Sequence, residues 1–136
     1  IMNIEIVKRS DFKSFFDMKT RWKDMDALGH INNATFLTYL ESGRIELVKK
    51  WDFKKPPFIQ ASTKIDYLRQ LSHPASLQIG QKISRVGHKS FDILTGIFEE
   101  GEEKPVAQAV TTLVGFDYES QKTVSVPEVI RQALED

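Results

Sequence analysis

Between Ala34 and about Lys50 the apolar residues recur at helical spacing, and no other stretch of comparable length in this 136-residue chain does the same. Leu37, Leu40, Leu47, Val48 and Trp51, with Arg44 among them, mark one face, and Phe36, Tyr39, Gly43 and Ile45 widen it. A helix that is apolar over much of its circumference must be covered on more than one side. The material available to cover it has a different period. Ile59, Ala61, Thr63, Ile65 and Tyr67 alternate with polar residues. So do Leu77, Ile79 and Ile83, then Phe91, Ile93, Thr95 and Ile97. Val106, Val110, Val114 and Phe116 form the apolar face of a last long strand. Period-two alternation indicates strands with one buried face.

An earlier strand is expected around residues 14–22, with Phe16, Met18, Thr20 and Trp22 inward and Asp17, Lys19 and Arg21 outward. KKPP at 54–57 ends the helical unit, and SHPA at 72–75, GHK at 87–89 and EEGEE at 99–103 read as turns, with Gly80 a candidate bulge. Ser125 and Pro127 signal the start of a short closing helix that runs to about Leu134. The connections are short, so neighbouring strands are antiparallel. The expected architecture is α+β, one antiparallel sheet around one long helix, in a single domain over residues 1–136.

Composition narrows function mainly by exclusion. Lysine plus arginine equals aspartate plus glutamate, which gives no electrostatic case for nucleic acid or a membrane surface. Cysteine is absent, so thiolate metal sites, disulfides and a cysteine nucleophile are excluded. No apolar run approaches the roughly 18 residues of a membrane span. The first residues lack the basic-then-apolar order of a signal peptide, and a cytoplasmic location is expected.

The densest chemistry lies just before the long helix, in DMDALGHINNATF at 24–36. One reading is structural: Asn32 or Asn33 caps the helix, Gly29 turns the chain, and Asp24 and Asp26 sit near the positive helix end. A calcium loop fails, because Leu28 and Thr35 stand where ligands are required. His30, His73 and His88 lack zinc-ligand spacing, so no metal is expected. The third reading is catalytic. Asp26 supplies a nucleophile or a general base, and the amide of Asn33 supplies a donor to an oxyanion at the helix start. Together they suit acyl transfer.

The run from Thr20 to Arg44, TRWKDMDALGHINNATFLTYLESGR, resembles the signature of hotdog-fold acyl-CoA thioesterases of the 4-hydroxybenzoyl-CoA thioesterase type. The resemblance covers about a fifth of the chain without gaps, and the expected element order fits the hotdog fold along nearly all of it. It implies an acyl-CoA thioesterase that needs no cofactor. Asp26 matches the catalytic carboxylate, Asn33 the oxyanion amide and Gly29 the turn glycine. His30 matches a positioning residue, with Asn32 completing the HxNN pattern. Glu41 and Arg44 match an ExxR pair, read either as an ion pair on the helix or, for Glu41, as a residue that orients water. The segment from Arg85 to Phe91 is similar to the family's basic hairpin. It makes Arg85, His88, Lys89 and Ser90 candidates for the nucleotide end of coenzyme A. The resemblance also implies a homodimer or homotetramer with the site at a subunit boundary. An acyl-ACP thioesterase and a non-catalytic acyl-binding module are the alternatives. A hotdog hydratase lacks support, because its motif is not found on the helix.

Overall fold

A computed structural model describes residues 5–135. Its elements in chain order are β1 (Phe15–Lys19), α1 (Thr35–Lys49), β2 (Phe58–Tyr67), β3 (Ser76–Val86), β4 (Ser90–Glu99), β5 (Ala107–Asp117), the two-residue β6 (Lys122–Thr123) and α2 (Glu128–Glu135). The strands form one antiparallel sheet in the order β1-β3-β4-β5-β2, with β6 paired to β5. The sheet curls around α1, which gives the hotdog arrangement. Among the described residues no helix is long and apolar enough to cross a membrane.

The helix buries Phe36, Tyr39, Leu40 and Gly43, one stripe at i, i+3, i+4 and i+7. These residues pack on Leu77 and Ile79 of β3, Ile97 of β4 and Ala107 and Ala109 of β5. A second cluster joins Phe58, Ile83, Phe91, Ile93 and Leu113 to Val126 and Ile130 at the other end of the sheet. The cover is narrower than the apolar arc of the sequence suggests. Leu37 and Ile45 are about half exposed (48% and 51%), so a stripe of α1 stays open to solvent.

Several register expectations are corrected. Trp22 does not face the core: β1 ends at Lys19, and Trp22 lies in a 3-10 turn, 77% exposed. The bulges are not at Gly80 but in β2 between Gln60 and Ser62, and in β3 between Ile83 and Arg85. The first of these flips Ile59. Thr63, Ile65 and Tyr67 share a face with Thr111, Ala109 and Ala107, whereas Ile59 lies opposite Val114 on the outer face. In β5 the parity is reversed. Ala107, Ala109, Thr111 and Leu113 are buried beneath the helices, and Val110, Val114 and Phe116 are only partly covered. Both parities of β5 are largely apolar, so periodicity alone leaves its inner face undetermined. Gly80 pairs with Gly96 and leaves space for the Phe12 ring, which a Cβ at Gly80 would approach to 2.6 Å. Phe12 thereby closes a third cluster with Val7 and Phe98 on the outer face. The last helix begins after Pro127, whose carbonyl accepts from Ile130, and the Ser125 hydroxyl makes no capping bond among the described residues.

Candidate active site

The loop before α1 is built largely by its own backbone. The amide of Asp26 donates to the carbonyl of His30 at 2.7 Å, and Met25 bridges Ile31. Gly29 sits at φ +83°, a conformation that costs a side chain strain, and donates to the carbonyl of Asp26. One carboxylate oxygen of Asp26, Oδ1, accepts the amides of Leu28 (2.9 Å) and His30 (3.1 Å). The other, Oδ2, accepts nothing among the described residues. The side chain is therefore fixed through one oxygen and available through the second.

Neither candidate caps α1, whose N-cap position is Ala34 without a side-chain capping bond; Asn32 Oδ1 instead accepts the amide of Ala34 at 2.8 Å, an Asx turn just ahead of the helix. The amides of Thr35, Phe36 and Leu37 are used by carbonyls three residues back. That leaves the Asn33 amide without an acceptor among the described residues, at the positive end of a 15-residue helix. Asp26, Asn32 and Asn33 line one cavity of about 490 Å³ with His30, Phe36 and Tyr67. The Tyr67 hydroxyl donates to the carbonyl of Asn33 at 3.0 Å and ties the end of β2 to the helix start.

His30 is half-buried, and its backbone bridges Ser72. Its imidazole forms no hydrogen bond, and so no dyad with an aspartate, among the described residues. Glu41 is exposed and forms no ion pair with Arg44; the ion pair on α1 is Lys49–Glu46 at 2.9 Å. Arg44 is half-buried beside Phe53, Phe58 and Tyr118 in a separate cavity of about 430 Å³. Burial lowers its pKa, and the Glu41 charge only partly opposes this.

The basic hairpin is not beside Asp26 within one chain. Ser76, at the near end of β3, and Val86, at the hairpin, bound an 11-residue strand, a span of about 33 Å. Arg85 is also already engaged. It pairs with Asp92 at 2.8 Å and donates to Ser90 Oγ at 2.8 Å, and the hydrogen bond to Asp92 raises its pKa. His88 and Lys89 are exposed, and Lys89 reaches Thr123 Oγ1 at 3.3 Å.

Sequence reasoning missed Asp24. It does not sit at the helix terminus but is 2% exposed, against the hydroxyl of Tyr39. The signal was available, since an aspartate followed fifteen positions later by an inward-facing tyrosine of α1 can meet it across the turn. Among the described residues no group of three or more His, Cys, Asp or Glu side chains converges to hold a metal.

Comparison with known proteins gives concordant matches. The family model of the thioesterase-like superfamily matches residues 20–134. Protein YsmA of Bacillus subtilis is 32% identical, over 93% of this chain and 88% of its own. The long-chain acyl-CoA thioesterase FadM of Escherichia coli is 27% identical, over 87% of this chain and 94% of its own. A thioesterase from Thermus thermophilus, solved with coenzyme A and Zn, superposes with a TM-score of 0.80 at 26% identity, covering 92% of this chain and 99% of that one.

Proposed function

Because the chain belongs to the thioesterase-like superfamily and is a thioester hydrolase of hotdog fold, we propose that it cleaves acyl-coenzyme A esters to the free acid and coenzyme A, with Asp26 as the catalytic carboxylate. The observation that carries this reading is the pairing of a half-free carboxylate and an unused helix-start amide on one cavity wall. The thioester carbonyl oxygen points at the Asn33 amide. Asp26 Oδ2 removes a proton from water, and the resulting hydroxide adds to the carbonyl carbon. The Asn33 amide and the helix end hold the oxyanion. When the intermediate collapses, the C–S bond breaks and the proton held by Asp26 passes to the departing sulfur. Direct attack by Asp26 through a mixed anhydride, then hydrolysed by water, uses the same residues. Gly29 and His30 serve by shaping the loop, and Asn32 by the turn it makes onto the Ala34 amide.

The substrate's nucleotide end requires a second copy of the chain. β2 is a sheet edge, and residues 59–62 are exposed on both faces. Antiparallel pairing of two β2 edges about a two-fold axis sets the Tyr67 end of one beside the Phe58 end of the other. That arrangement carries the second copy's hairpin, with His88 and Lys89, toward Asp26 of the first. Coenzyme A phosphates would then meet those side chains, while Arg85 braces the hairpin through its bonds to Ser90 and Asp92.

The test is thiol release over short, long and aromatic acyl-CoA esters, with Asp26→Asn measured beside the wild type. Wild-type turnover that falls by about 10³-fold or more in the variant is the expected outcome. Full activity in Asp26→Asn removes Asp26 from the mechanism. Turnover on acyl-ACP alone would move the assignment to the carrier-protein ester, and binding without thiol release to an acyl-binding module.

A further inference from the structure

We propose that Asp24 and Tyr39 form a positioning clamp that holds the Asp26 carboxylate and the Asn33 amide in fixed relation, so that both bear on one thioester carbonyl. The inference rests on the reading of Asp26 given above.

Asp24 is an unusual carboxylate. It is 2% exposed, yet Oδ2 accepts the Tyr39 hydroxyl at 2.7 Å and the Arg21 amide at 2.9 Å. Its Oδ1 accepts the Arg21 guanidinium, from Nε at 3.0 Å and Nη2 at 2.9 Å. A buried carboxylate supplied with this many donors stays ionised and does not migrate. Tyr39 is fully buried, and its ring packs edge-on against Phe36, which packs edge-on against Tyr67. The hydroxyl is therefore anchored by the core of α1.

The backbone carries this anchorage to the site. The carbonyl of Asp24 accepts the amide of Asn32 at 3.0 Å, one residue before the free amide. Asp26 lies two residues beyond Asp24, within the ladder Met25–Ile31. Asp24 thus ties both strands of the loop, and through Tyr39 ties the loop to the helix. Neither residue lines the cavity. Their action on the chemistry is through placement, and misplacement of reacting groups by about 1 Å costs on the order of a hundredfold in rate.

The experiment compares kcat and KM for Tyr39→Phe, Arg21→Met, Phe98→Leu and Asp26→Asn, per folded molecule, on the acyl-CoA ester the wild type turns over fastest. Tyr39→Phe removes one hydroxyl and is expected to lower kcat by about tenfold or more with KM within about twofold. Arg21→Met frees the same carboxylate from the exposed side, without touching the core, and is expected to lower kcat severalfold in the same pattern. Phe98→Leu loosens the core on the opposite sheet face and is expected to lower the melting temperature but leave kcat unchanged. Wild-type kcat in both Tyr39→Phe and Arg21→Met overturns the clamp, as does an equal kcat loss in Phe98→Leu. Asp26→Asn separates the two claims. If it is inactive while the clamp variants are normal, the clamp alone falls. If it retains turnover, both fall.

Discussion

Gly29 and Asp24 show how much of the site depends on single positions. A Cβ at Gly29 would meet no atom within 4 Å, so its constraint is wholly in the backbone, at φ +83°. Gly29→Ala is expected to cost about 1–2 kcal/mol of stability through the left-handed conformation alone. It should lower thiol release as well, because Asp26 Oδ1 takes its hydrogen bonds from the flanking amides of Leu28 and His30. Gly29→Asn, which tolerates that conformation better, should lie between the two in both thermal melting and turnover. Asp24 makes a pH prediction. Burial pushes its carboxyl up, but the Tyr39 hydroxyl and the Arg21 amide and guanidinium outweigh that and hold it below the ordinary value. A depressed carboxylate contributes stability that is complete above the unfolded pKa, about 3.9, and disappears as the pH falls through the lower folded value. Wild-type melting temperature should therefore fall below pH 4 more steeply than that of Asp24→Asn, which should begin lower at pH 7. Burial, reinforced by Asp24, pushes the Tyr39 phenol up, so it stays a donor throughout this range.

At the scale of elements, the outer face of the sheet is closed by small residues facing a large one. Gly80 of β3 and Gly96 of β4 are in register, and a Cβ on either would come within 3.0 Å of Phe12. Gly80→Ala is expected to destabilise the fold by about 1–3 kcal/mol through overpacking, read by chemical denaturation. Turnover per folded molecule should be preserved, because this cluster lies on the opposite face from α1. The same elements show what periodicity captures. The change from helical to alternating spacing correctly separates α1 from the four long strands, because a buried face must recur once per turn or once per two residues. The bulges in β2 and β3 escape it. A bulge shifts which parity faces inward without changing composition, and Ile59 is the residue it displaces.

For the whole molecule, the exposed edge of β2 is where the proposed two-copy site is tested. β2 pairs with β5 on one side only, and its open edge, exposed at residues 59–62, is expected to pair with its counterpart in a second copy. Ile59→Lys combined with Ala61→Lys places charge along that edge. The variant should sediment as a monomer and lose acyl-CoA turnover while Asp26 and its hydrogen bonds are untouched. A monomer with wild-type kcat/KM would show that one chain suffices. By itself, the sequence determined the element order and the α+β class, and it marked the polar run from Asp24 to Asn33 as the candidate site, because local spacing and residue type fix these. Only the tertiary structure decided that Asn32 accepts the Ala34 amide while the Asn33 amide stays free among the described residues, that Asp24 is buried against Tyr39, and that the hairpin at Arg85 lies at the far end of the sheet. Each of these depends on contacts between segments distant in the chain, or on which of two adjacent groups finds a partner, and hydrogen-bond satisfaction in the folded state settles that choice.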